Sequence, residues 1–74
     1  MSVLPQVRGD RLIRALSRIG FREVRHTGSH ALLVHQDGRT VIVAIHGSRP
    51  LPSGTLHAAL RGAELTVERL KELL

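Results

Sequence analysis

The sequence predicts an α+β domain of order α-β-β-β-α, with a three-stranded antiparallel sheet and a short helix at its C-terminus. Three observations carry this: an amphipathic period early in the chain, an Asp37-Gly38 step between two apolar, β-branched runs, and further helical periods after a Gly/Pro-rich loop. The 74 residues suffice for one small domain. At 42% hydrophobic and 23% charged, the composition lies near the ordinary globular mix and far from that of a disordered tail.

From Asp10 to Ile19 the apolar residues Leu12, Ile13, Leu16 and Ile19 recur at i, i+1, i+4 and i+7. That is one helical stripe, with Arg11, Arg14 and Arg18 left toward solvent. Asp10 favours the N-terminus electrostatically, and Gly20 suits a left-handed end. Residues 1–9 contain Pro5 and show no period, so they read as a flexible lead-in to a single domain over residues 10–74.

Three β segments follow, Arg22–His26, Ser29–Gln36 and Arg39–His46, separated by Thr27-Gly28 and Asp37-Gly38. Asp-Gly between apolar runs signals a hairpin, because a type I′ turn needs positive φ at both central residues. A two-residue turn sets Gln36 opposite Arg39 and carries the pairing through Val34–Val41 and Leu32–Val43 to His30–Ile45 and Ser29–His46. In that register Leu32, Val34, Val41, Val43 and Ile45 form the core face, and Ala31, Leu33, Ile42 and Ala44 line the other. Gly47 to Pro52 is a loop. Ser53 is expected to cap a helix running through Leu56, Ala59 and Leu60 to Gly62. Thr66 caps a last stretch, Val67 to Leu74, whose Leu70, Leu73 and Leu74 close the core.

Composition narrows the function. Eleven Lys+Arg against six Asp+Glu give a net charge of +5, and ten of the eleven are arginines, whose planar guanidinium suits phosphate. A polyanion is the partner to consider first. The absence of cysteine excludes disulfides, zinc ribbons, iron–sulfur ligation and thiol catalysis. Phe21 is the one aromatic of the Phe/Tyr/Trp class, so the stacking platforms of common single-strand RNA binders cannot be built. The longest apolar run, Val41 to Ile45, falls far short of the about 18 residues of a membrane span. Residues 1–10 lack a signal-peptide hydrophobic region, and a cytoplasmic protein with no membrane association is expected.

Five histidines need explaining. Imidazole both takes and gives a proton near neutral pH. The predicted register gathers His26, His30 and His46 at the open end of the hairpin. His30 follows Arg25 and the Gly28-Ser29 entry, which together offer a phosphate a charge, a hydroxyl, backbone N–H groups and an acid/base. A strand histidine is more often structural or simply solvated, and His35 and His57 are read so. His26-x3-His30-x4-His35 is broken by the Thr27-Gly28 turn, so no metal and no other cofactor are expected. Ser29 is adjacent to His30 along a strand and should point away from it, which argues against a Ser-His hydrolase. The loop before Ser53 lacks the Lys and the spacing of a Walker A motif, yet Ser53-Gly54-Thr55 opens a helix whose free N–H groups attract anions.

In order and spacing, Gly20-Phe21, Arg25-His26-Thr27-Gly28-Ser29-His30, Val43-Ala44-Ile45-His46-Gly47 and Gly54-Thr55-Leu56 resemble the HicA (YcfA-like) mRNA interferase toxins, from about Val7 to the C-terminus. The resemblance implies a double-stranded-RNA-binding-domain-like fold and a ribosome-independent endoribonuclease held inactive by a HicB-type antitoxin. It places the family's catalytic histidine, that of the G-S-H motif, on His30. The strand-end histidine falls on His46 and the helix-opening G-T-L on Gly54, Thr55 and Leu56. The chain departs from the family's commoner residues at Ala31, Leu33 and Ala44. The expected activity is therefore metal-independent cleavage of mRNA. His30 acts as general acid or base, His46 as a second proton carrier or phosphate ligand, and Arg25, Gly28, Ser29, Gly54 and Thr55 contact phosphate. Two rivals stand beside it: a non-catalytic RNA-binding module of the same fold, whose usual basic cluster on the second helix shrinks here to Arg61, and a module binding an acidic protein through its arginines.

Overall fold

In the computed structural model, which describes residues 3–74, the elements run α1 (Gly9–Ser17), β1 (Phe21–His26), β2 (His30–His35), β3 (Thr40–Ala44), α2 (Ser53–Ala63) and α3 (Val67–Leu73). The strands form one antiparallel sheet in the order β1-β2-β3. This is the α+β, double-stranded-RNA-binding-domain-like order expected from the sequence. Leu12 and Leu16 of α1, Leu56 and Leu60 of α2 and Leu70 of α3 bury against Phe21, Ala31, Leu33, Val41 and Val43 of the sheet. All three helices thus cover one face, and the other is left open.

The hairpin register differs from the expected one by a residue. Val34 pairs with Thr40, Leu33 with Val41, Ala31 with Val43 and His30 with Ala44. The cause is the loop. Gly38 N–H donates to His35 O at 2.9 Å and His35 N–H to Arg39 O at 2.9 Å, enclosing three residues instead of two, with Gly38 at φ +103°. A turn closed by a left-handed glycine is the usual three-residue hairpin. Because strand side chains alternate, one residue of slip exchanges the faces of β2, while Val41 and Val43 of β3 lie on the core face as expected. Leu33 and Ala31 are fully buried, whereas Leu32 and Val34 stand half-buried on the open face and Ile42 is 63% exposed there.

Other boundaries shift for local reasons. Residues 7–9 are part of the packed unit: Val7 is buried, its carbonyl accepts from Leu51 N–H at 2.7 Å, and Arg8 bridges to Pro50. The N-cap of α2 is Pro52, so Ser53 is its first helical residue and caps nothing. Nor does Gly62 end that helix. A Cβ there would stand 3.0 Å from Thr40 O, so glycine lets α2 approach β3, and the helix ends on Glu64 in the left-handed conformation. Thr66 caps α3 as expected, its Oγ1 accepting from Arg69 N–H at 3.1 Å. Gly20, at φ +100°, ends the turn after α1. No helix among the described residues is long and apolar enough to cross a membrane.

β1 carries a bulge. Glu23 pairs with Leu33 and Arg25 with Leu32, which leaves Val24 as an extra residue. A bulge opposes two residues to one and re-aims the side chains beyond it. Arg22 and Arg25, opposite Val34 and Leu32, consequently share the open face. Glu23 and His26, opposite Leu33 and Ala31, share the helix-covered side and contact one another through Glu23 Oε1 and His26 Nδ1.

Candidate functional site

The β1–β2 connection is the turn Thr27-Gly28-Ser29-His30. Thr27 N–H donates to His30 O at 2.8 Å, and the Thr27 hydroxyl accepts from His30 N–H at 3.2 Å and donates to His30 O at 3.3 Å. Ser29 O accepts from Ile45 N–H at 2.8 Å, tying the turn to the chain leaving β3. The backbone of His30 is therefore held from both sides while its ring remains exposed.

Ser29 Oγ lies 3.0 Å from His30 Nδ1. Strand alternation was expected to separate the two side chains. It does not apply, because Ser29 belongs to the turn and only His30 to the strand. A proton shared at Nδ1 fixes the ring's orientation and leaves Nε2 as the nitrogen with no protein partner among the described residues. Among the described residues no carboxylate is bonded to His30, so Ser29 and His30 have no third member of a hydrolytic triad there.

Arg25, Thr27, His30, Ala31, Leu32 and Ile42 line one groove of about 280 Å³ on the open sheet face. The bulge at Val24 is what brings Arg25 to it. Arg25 has no carboxylate partner among the described residues, whereas Arg8 pairs with Asp10, Arg39 with Asp37 and Arg69 with Glu72. Thr27 was not singled out from sequence. Its only signal was a hydroxyl residue at a turn entry, where local side-chain to backbone bonds are common.

The remaining candidates lie apart from this groove. His46, expected opposite Ser29, follows the last β3 residue by two and accepts at its carbonyl from Arg49 N–H, 3.1 Å away, so it opens a turn and is not among the groove residues. Gly54 and Thr55 line a second groove of about 660 Å³ between α2 and β3, which meets the first at Ile42. No side chain caps α2, and its first intrahelical bond is Leu56 N–H to Pro52 O, so the N–H groups of Ser53, Gly54 and Thr55 have no acceptor within the helix. Gly28 has open space around it.

His35 is structural. Its Nε2 lies 3.0 Å from Ile19 O and its Nδ1 accepts from Asp37 N–H at 3.1 Å, which sets the Nε2–H tautomer. Its ring meets Phe21 edge-on at 5.2 Å, and Arg39 stacks over Phe21 at 5.1 Å while donating to Ala63 O. His57 is exposed on α2. Among the described residues no three His, Asp or Glu side chains are grouped as a metal ion's ligands would be.

A family model for the HicA toxin of bacterial toxin–antitoxin systems matches residues 9–65, from the first residue of α1 to just beyond the end of α2. The chain belongs to the HicA toxin family. The match covers the sheet, the G-S-H turn and both grooves, leaving α3 outside it. No curated protein matches the chain. Within this HicA-family chain, the exposed His30 shares its groove with Arg25, which has no carboxylate partner among the described residues.

Proposed function

We propose that this HicA-family chain is a metal-independent endoribonuclease that cleaves mRNA, acts in the cytoplasm, and is restrained by a HicB-type antitoxin. The observation that carries the reading is the groove that holds His30 and Arg25 together, with Ser29 on the ring's Nδ1.

RNA brings its own nucleophile. The 2′-OH attacks the adjacent phosphorus and the 5′-oxygen leaves, so the protein need supply only proton transfer and charge stabilisation. His30 Nε2 takes the 2′-OH proton or gives one to the leaving 5′-oxygen, while Ser29 holds the ring. The Arg25 guanidinium and the backbone N–H groups around Gly28 and Ser29 stabilise the charge growing on the phosphoryl oxygens. Gly54 and Thr55 present the open first turn of α2 to a neighbouring phosphate, and His46 serves at the rim as a phosphate ligand or second proton carrier. The HicB-type partner inhibits by covering His30 and meeting the arginines with acidic groups, the same field attracting both inhibitor and RNA.

The test is the chemistry of the product ends. Purified protein should cleave RNA in excess EDTA and leave a 2′,3′-cyclic phosphate, or its hydrolysis product, beside a 5′-OH. DNA and 2′-O-methyl RNA should resist. Binding of RNA with no cleavage would establish the binding-module alternative, and 5′-phosphate ends would refute a 2′-OH nucleophile.

A further inference from the structure

The open sheet face carries more than the groove at His30. Along β2, residues 30, 32 and 34 point to this face, and opposite them on β1 stand Thr27, Arg25 and Arg22. His30, Arg25 and Arg22 therefore occupy three successive steps of one ladder, with about 6.7 Å between steps along the strand direction. Arg22, Val24 and Val34 line a depression of about 230 Å³ that continues the row beyond Arg25. The floor between the cations is apolar: Leu32 and Val34 are half-buried, Val24 is 51% exposed and Ile42 is 63% exposed. Arg22, like Arg25, has no carboxylate partner among the described residues, and Glu23, the one acid of β1, faces the other side by ordinary strand alternation and is engaged there by His26, which the bulge brings to that side.

We propose that Arg22 binds the phosphate one nucleotide away from the cleaved bond, and that the row His30–Arg25–Arg22 carries RNA as an extended single strand along the β1–β2 ladder. The proposal rests on the reading of His30 as the cleavage centre. The occupant follows from charge and spacing. Two unpaired guanidiniums on a +5 protein call for a polyanion, and steps of one strand pair match the separation of successive phosphates in an extended strand. The apolar floor offers the bases contact without hydrogen-bond donors or acceptors from its own side chains, so this subsite discriminates little among bases. The bulge at Val24 is the device that builds it: with regular alternation, residues three apart could not share the face.

The experiment uses 2′-O-methyl oligonucleotides, which bind without being cut, titrated against the wild-type chain, Arg22→Gln and the control Arg61→Gln at several salt concentrations. A dinucleotide with one internal phosphate is compared with the same dinucleotide extended by one phosphate at its 5′ or its 3′ end. Wild type and Arg61→Gln should gain about tenfold in affinity from one of the two extensions, as one charge-assisted hydrogen bond provides. Their salt dependence should steepen by about 0.7 in log–log slope. Arg22→Gln, at an exposed position that leaves the fold intact, should lose both gains. Retention of both gains in Arg22→Gln, or their equal loss in Arg61→Gln, overturns the subsite, as does a face that binds an acidic protein through Arg22 but gains nothing from the added phosphate. A wild type that shows the Arg22-dependent gain and yet leaves unmodified RNA uncut refutes the nuclease reading and supports the subsite.

Discussion

Arg22 and Arg25 stand three residues apart in β1 and yet face the same side of the sheet, opposite Val34 and Leu32, because Val24 is inserted as a bulge between them. The same insertion puts Glu23 with His26 on the other side. Because Val24 is set out of the alternation, the charges of this edge strand stay sorted into a cationic face beside His30 and a face behind it on which Glu23 meets His26.

Removing that residue should be tolerated about as well as removing its side chain, because its neighbours already oppose consecutive residues of β2. Val24→Ala, at a position 51% exposed, should change stability by less than about 1 kcal/mol. Deletion of Val24 joins Glu23 directly to Arg25 and leaves Phe21, Arg22, Glu23, Arg25 and His26 opposite His35, Val34, Leu33, Leu32 and Ala31 in regular alternation, so Phe21, which is 2% exposed, stays in the core. A deletion that costs about 3–5 kcal/mol, as expulsion of Phe21 from the core would, contradicts this register. Urea unfolding of the two variants measures the difference.

The histidines should separate by stability. His35→Ala removes the bond to Ile19 O, the acceptor for Asp37 N–H and the edge contact with Phe21, and should destabilise by about 1–3 kcal/mol. His30→Ala removes an exposed ring whose one bond is to a turn hydroxyl and should stay within about 0.5 kcal/mol of wild type. Equal losses in thermal unfolding would contradict the division into a structural and a functional histidine.

Gly9 tests how closely α1 sits on the sheet. A Cβ at this position would lie 2.8 Å from the carbonyl oxygen of Ala44, a backbone atom with little room to yield. Gly9→Ala should therefore destabilise by about 1–3 kcal/mol despite alanine's better helix propensity. A stabilised variant in chemical denaturation would show that the helix moves freely away from β3.

Asp37 predicts a pH effect confined to acid. The Arg39 backbone N–H, 3.0 Å from Oδ1, with smaller help from the Arg39 guanidinium and His35, holds the carboxyl below its ordinary value against a partial opposing effect of desolvation. A carboxyl with a depressed folded pKa contributes stability that is complete above its unfolded pKa and is lost as pH falls through the folded one. The stability difference between wild type and Asp37→Asn should thus be constant above about pH 4 to 5 and shrink below it. Thermal midpoints of both proteins between pH 2 and pH 7 would show this, and a difference that widens in acid would reverse the assigned sign.

The sequence was most legible where one residue type had one job. The α1 stripe, the Thr66 cap and the G-S-H histidine in its turn are local signals and reappear in the structure. The hairpin register was not legible from Asp37-Gly38, since the same pair ends a three-residue loop as readily as it forms a two-residue one, and that single residue decided whether Leu32 or Leu33 was core. Nor did Arg-Glu-Val-Arg-His reveal its bulge, because an exposed valine fits either face of an edge strand. With the register moved, Ile45 and not His46 stands opposite Ser29, while the Ser29 side chain, expected to point away from His30, lies 3.0 Å from its ring.

His30 is the centre of the proposed chemistry, and the most direct measurement is the cleavage rate of a defined RNA by His30→Ala, made beside circular dichroism and RNA binding on the same preparation. The account predicts a native spectrum, retained binding and a rate lowered by about 10²–10⁴-fold, the usual contribution of a general acid or base. A correctly folded His30→Ala that cleaves at the wild-type rate would contradict it.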